Sequence, residues 1–307
     1  GVISVRNPSK SVSLLCLECV IGLIVAVSNI LIVVILVMGA RRLMKNHFYI
    51  VLSNLIVFTS LKGFVELAFI LPYYIKQIDN AQQQVISSKT HLEKIYFSKP
   101  YEKFIFNVSV LADYGVLFFS VLIAINRYLA VARPSSVQDE SRSFSIKTGL
   151  SCGIVWCFSA IIPLLYYFLD CQYIFNAQLH VYYNQCFNAD DGLMILLYCL
   201  IYLSYACALA VLALYCLIFI FLRRKRKRAT NIDTSSKATS SQLKLLRQSV
   251  VVFVLYAASI GVTFAISYVP KDGVDAVDLV FVENLLNLSI AAVYPICFLA
   301  MSGEMKK

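Results

Sequence analysis

Residues 102–128 read EKFIFNVSVLADYGVLFFSVLIAINRY. Between Lys103 and Arg127 the only charged residue is Asp113. A helix needs about 20 mostly apolar residues to cross the hydrocarbon of a bilayer. Lipid offers no partner for free backbone groups, so a spanning segment is a helix or part of a closed barrel. Here the apolar residues run continuously instead of alternating, and the helix is the reading that fits.

Six further runs of the same kind flank this one. The expected spans are 12–39, 47–75, 102–126, 146–169, 191–222, 243–269 and 277–301. The second and fifth exceed what a bilayer needs and should tilt or project beyond it. Pro270, Lys271, Asp272 and Gly273 form the tight turn between the last two. Composition agrees: 60% of the chain is hydrophobic and 14% charged, against about 25% charged in a soluble domain. No polar stretch is long enough for a second domain. The expected fold is all-α, a single seven-transmembrane-helix bundle over residues 1–307. The chain starts at Gly1 and stops at Lys307 just after an apolar run, so both ends read as truncated. No secretory signal pattern precedes the first span.

Lys and Arg in the loops set the orientation. Eighteen lie on the side of Arg41, Arg127 and Arg223, and eight on the side of Arg6, Lys76 and Lys271. The richer side is cytoplasmic, which places the N-terminus outside. Asp79, Glu93, Glu102, Asp170, Asp190, Asp191, Asp272, Asp275 and Asp278 fall on the outer side. The net charge of +10 is therefore a membrane signature and gives no reason to expect nucleic acid. The run Arg223–Arg228 suits anionic headgroups and equally a protein partner. Residues 229–241 are polar and rich in Ser and Thr, as expected of a loop.

Five ionisable residues fall inside spans: Glu18, Lys62, Glu66, Asp113 and Glu283. Such groups are costly in lipid and are functional candidates by default. Lys62 and Glu66 are four apart and share a helix face, so they are either a self-satisfied pair or part of a ligand site. Asp113 precedes Arg127 by 14 residues, about 21 Å along a helix. Of the 10 cysteines, Cys16, Cys19, Cys152, Cys157, Cys199, Cys207, Cys216 and Cys297 lie in apolar runs and are expected as small buried hydrophobes. The sequons at Asn107 and Asn287 fall in or at the edge of spans and are discounted as glycosylation sites.

Several landmarks, in order, carry a resemblance. They are Asn29 in Ser28-Asn29-Ile30-Leu31, Asn54-Leu55, Asn126-Arg127-Tyr128, the single Trp156, Tyr215, Tyr294-Pro295-Ile296-Cys297-Phe298, and Ser302-Gly303-Glu304-Met305-Lys306. Together they resemble the rhodopsin-like G-protein-coupled receptors over essentially the full length. The resemblance implies G-protein coupling and activation through Asn126, Arg127, Tyr128, Tyr215 and Pro295. It also implies a short amphipathic eighth helix starting near Ser302, and a ligand held near Asp113. Ser109 takes the place of that family's amine-binding Asp, so an amine receptor is not expected. Tyr114, Phe118, Phe264 and Tyr268 are either ligand contacts or packing.

The departures are as informative. Thr59 stands where the family has a sodium-binding Asp. Helix 5 has no Pro, with Cys207 near that position, and helix 6 lacks the Cys-Trp-x-Pro motif. Glu102 occupies the place of the cysteine atop helix 3, so the usual disulfide is impossible. Cys171 and Cys186 share the second outer loop, with 14 residues between them. On an oxidising side they are expected to pair, two free thiols being the alternative. The tetrad Ile125-Asn126-Arg127-Tyr128 and the two-cysteine loop after Ile162-Pro163 most resemble the chemosensory serpentine receptors of nematodes, class X among them.

The expected function is a chemosensory receptor passing an extracellular small-molecule signal to a cytoplasmic heterotrimeric G protein, without cofactor or metal. Lys62, Glu66, Ser109, Asp113, Tyr114, Tyr268 and Glu283 are the ligand-site candidates. The expected location is the plasma membrane, a sensory cilium included. The open alternatives are a neuropeptide-type receptor, whose ligand is a peptide, and a seven-helix transporter or channel. The latter predicts internal repeats and broken helices, and neither is visible. No HExxH or GxSxG occurs and His47, His91 and His180 are scattered, so an enzyme is not expected.

Overall fold

The computed structural model describes residues 8–39, 47–72, 99–132, 141–176, 181–187, 191–229, 250–252, 254–262, 265 and 274–301. In chain order the helices are α1 (Pro8–Met38), α2 (His47–Val65), α3 (Lys99–Ala132) and α4 (Ser141–Phe168). Strands β1 (Cys171–Asn176) and β2 (Val181–Cys186) come next, then α5 (Asp191–Ala229). A sixth helix, α6, is described over 250–262 except residue 253. The last is α7 (Val274–Met301). Five stretches are long and apolar enough to cross a membrane: Cys16–Met38, Phe48–Phe69, Lys103–Leu129, Lys147–Phe168 and Asp191–Phe221. Shorter apolar stretches are Val250–Val262 in α6 and Val282–Ile296 in α7. The expected eighth helix falls on residues 302–307, outside the described residues.

The seven helices pack into one bundle whose polarity is inverted relative to a water-soluble protein. Val20, Leu23, Val27, Ile30 and Val37 of α1 point outward, while Asn29, Thr59, Lys62, Glu66, Ser109 and Ser120 are buried. Polar groups in hydrocarbon are costly and turn inward, and apolar ones need no shelter from lipid. The same rule corrects the reading of the cysteines. Cys152 is buried, but Cys16, Cys157, Cys199 and Cys216 are exposed on the outer wall, and Cys19 and Cys207 are half-exposed. A thiol is apolar enough for either environment. The side chain of Cys297 lies outside the described residues.

Helix α3 is the central strut, packing against α2, α4 and α5, while α1 lies against α2 and α7. The α2–α3 contact is close because Gly115 has no side chain: a Cβ there would run into the Phe58 ring. Phe58 is fully buried, 5.5 Å from the Phe119 ring and 4.3 Å from the Trp156 ring. Past Val65, helix α2 continues through a π turn, Glu66–Ile70, in which the Leu71 N–H donates to the Glu66 carbonyl. A turn of this kind inserts one residue and re-aims the rest of the helix, often at a functional site.

One element is absent from the all-α expectation. The segment joining α4 to α5 forms an antiparallel hairpin, with Cys171 opposite Cys186 and Asn176 opposite Val181. Asp170 makes the turn out of α4 at φ 52°, a left-handed conformation that Asp tolerates better than most residues. Its carbonyl accepts from the Phe187 N–H, and its carboxylate lies 2.6 Å from Lys103 Nζ at the start of α3. Lys103 also sits 4.3 Å from the centre of the Tyr167 ring. The hairpin is thereby fixed at the end of the bundle opposite Arg127.

Candidate functional site

Five helices enclose a cavity of about 220 Å³. Asp113 and Tyr114 of α3 project into it with Val116 and Leu117, one helical turn on. Ser204 and Tyr205 come from α5, and Tyr256 and Ser259 from α6. Glu283, Asn287 and Ile290 enter from α7 at intervals of four and three, the spacing that keeps side chains on one helix face. Lys62 closes the wall from α2. Ser259 Oγ lies 3.3 Å from Asn287 Oδ1 and links α6 to α7.

Charge is concentrated on one wall. Lys62 Nζ is 2.8 Å from Oδ1 and 3.1 Å from Oδ2 of Asp113. The lysine side chain is 11% exposed and the aspartate 43% exposed, so the carboxylate is the half presented to the cavity. Glu66, one turn beyond Lys62, is buried and hydrogen-bonded to Glu18 of α1. The i,i+4 relation of Lys62 and Glu66 is kept, yet the ion pair at hand crosses to α3. A chain of ionisable groups, Glu18, Glu66, Lys62 and Asp113, thus ties three helices together and ends at the cavity.

Of the ligand-site candidates, Lys62, Asp113, Tyr114 and Glu283 line this cavity. Glu66 lies behind the wall, and Ser109 is fully enclosed without lining it. Tyr268 and Phe264 lie outside the described residues. Tyr114 is hydrogen-bonded to Tyr166 of α4 and Ser204 of α5, and its ring is 6.0 Å from that of Phe118. The residues missed in sequence are Ser204, Tyr205, Tyr256, Ser259 and Asn287. The 283, 287, 290 spacing of α7 was a usable signal for Asn287; for the others, polarity within an apolar run was the only hint.

The landmarks of the resemblance sit in cross-helix contacts. Asn29 Oδ1 accepts from Thr59 Oγ1 at 2.8 Å, joining α1 to α2. Asn54 Oδ1 accepts from Trp156 Nε1 at 2.8 Å, joining α2 to α4. At the cavity wall, Tyr256 is buried and hydrogen-bonded to Ser120. Tyr294 is buried beside them. Tyr215 is buried in the same core, and Pro295 is buried within α7. Toward the basic end, Tyr128 meets Phe221 of α5 edge-on at 6.2 Å, and the Arg127 guanidinium lies 4.5 Å from the centre of the Phe48 ring on α2. Arg223 and Arg224 are exposed, and the backbone stays helical through Ala229.

The expected disulfide is present: Cys171 and Cys186 are bonded to each other. Among the described residues no group of His, Cys, Asp and Glu is placed to hold a metal ion.

No curated protein matches the chain. The sequence profile described as "7 transmembrane receptor (rhodopsin family)" matches residues 28–297. With that match and this arrangement of helices, the chain belongs to the rhodopsin family of seven-transmembrane receptors and is a G-protein-coupled receptor, a multi-pass membrane signalling protein and not an enzyme.

Proposed function

We propose that this receptor is chemosensory, and that it takes an extracellular small molecule into the cavity walled by Lys62, Asp113, Tyr114 and Glu283. The observation that carries the proposal is the Lys62–Asp113 ion pair at the cavity wall. Charges placed within a bilayer mark ligand or ion sites by default. The volume, about 220 Å³, suits a small molecule better than a peptide, since pockets for drug-sized ligands run from about 300 Å³. A ligand acts here by its different affinity for two arrangements of the bundle. In the active one α6 leaves the Arg127 end of α3, and Asn126, Arg127, Tyr128, Tyr215 and Pro295 form or support the surface that meets a cytoplasmic heterotrimeric G protein. The plasma membrane, at a sensory cilium, is the site of action, with the N-terminus outside.

The test is a small-molecule screen on cells expressing the chain, read by calcium and cyclic AMP. Asp113→Asn and Glu283→Gln should each change the potency of a hit; unchanged potency in both would remove the ligand from this cavity. Arg127→Ala should keep surface expression and abolish the response, and normal signalling from it would remove Arg127 from the coupling surface.

A further inference from the structure

Arg127 belongs to the proposed surface for the G protein. In this structure its guanidinium carbon stands 4.5 Å from the centre of the Phe48 ring, contributed by the first turn of α2. That is within the distance of about 6 Å at which an aromatic face attracts a cation. Both side chains are half-buried, so water competes only in part. Phe48 is itself held from behind. Its ring meets that of Tyr49 edge-on at 5.7 Å, Tyr49 is buried, and Phe48 packs against the central apolar cluster. The close approach of Gly115 to Phe58 fixes α2 against α3 further along the same interface. A side chain on α3 that rests on this ring is therefore referenced to a rigid surface.

We propose that Phe48 is a positioning residue that holds Arg127 in its resting place against α2, so that this contact sets the resting level of G-protein signalling. The inference rests on the coupling role assigned to Arg127. Release of the arginine from the ring is part of activation, and weakening the contact raises the population of the signalling state without ligand. A cation–π contact of about 0.5–1 kcal/mol corresponds to a change of about two- to fivefold in that population.

The experiment uses the full chain in cell membranes and reads ligand-free loading of a non-hydrolysable GTP analogue onto added heterotrimeric G proteins, per receptor at the surface. Phe48→Leu, which keeps an apolar side chain and removes the aromatic face, should raise the basal rate about two- to fivefold. Phe48→Trp, with the strongest aromatic face, should bring it to the wild-type level or below. Arg127→Ala should be silent, and Phe48→Leu in that background should stay silent. An unchanged or reduced basal rate in Phe48→Leu, with Arg127→Ala silent, overturns the proposal and leaves the coupling role standing. Wild-type signalling from Arg127→Ala overturns both. If Phe48→Leu fails to reach the surface, Phe48→Trp decides, a basal rate above wild type being the overturning result.

Discussion

The Asp113 carboxylate holds the Lys62 ammonium through both of its oxygens, at 2.8 and 3.1 Å, across the contact between α2 and α3. The two ends of this pair are not equivalent. Lys62 has Glu66 one turn away and Glu18 beyond it, whereas Asp113 is partly open to the cavity. Lys62→Met would leave the Asp113 carboxylate without its cation. The expected loss is about 3 kcal/mol, the lower range for breaking a buried pair. Asp113→Asn leaves the lysine its other acidic neighbours, and the expected loss is about 1 kcal/mol. Melting temperatures of the two detergent-solubilised variants should therefore fall in that order; the reverse order would show that Glu66 does not support Lys62.

Gly115 sets how closely α2 and α3 approach. Gly115→Ala gains about 1 kcal/mol in helix propensity but forces a methyl into a ring enclosed by Phe119 and Trp156. Overpacking of this kind costs about 1–3 kcal/mol, so the variant should be net less stable. Phe58→Leu in the same chain should recover part of the loss in a thermal inactivation assay. A Gly115→Ala receptor as stable as the wild type would mean that the two helices separate at little cost.

Trp156 reaches Asn54 from a helix whose outer face is largely lipid-exposed. Hydrocarbon offers no competing donor, so Trp156→Phe should cost about 1 kcal/mol by leaving the Asn54 oxygen without its indole N–H. Asn54→Ala added to that variant should cost less than Asn54→Ala alone, the coupling expected of two residues that share one bond. Additive losses would show that the bond contributes nothing.

Cys171→Ser with Cys186→Ser removes the bridge between hairpin strands. The chain-entropy model gives a loss of about 3 kcal/mol for a closure of this length. Treatment of the wild type with a reductant should lower the melting temperature by the same amount, and the double serine variant should not respond to it.

The bundle was legible because each span must bring about 20 apolar residues of its own. Helix ends were not. The third span was expected over 102–126, yet α3 runs from Lys99 to Ala132. Hydropathy marks where lipid stops, and a helix continues into water when its residues permit. The hairpin was missed although Cys171–Asn176 and Val181–Cys186 carry the aromatic and β-branched residues that favour strands. Two cysteines in one loop suggested a closure without specifying the backbone between them. At the site, Glu66 was visible as the neighbour of Lys62 through local spacing. Asp113, 51 residues away, becomes a partner only through the packing of α3, and no periodicity in the sequence reports that.

At 39 residues, helix α5 is about 58 Å long, nearly twice the hydrocarbon thickness of about 30 Å. Its Arg-rich end is therefore a stiff rod joined without a break to the wall of the cavity at Ser204 and Tyr205. A change of about 5° in its tilt about the hairpin end would sweep Ala229 through about 5 Å, a lever that turns a small adjustment near the ligand into a displacement the size of a side chain.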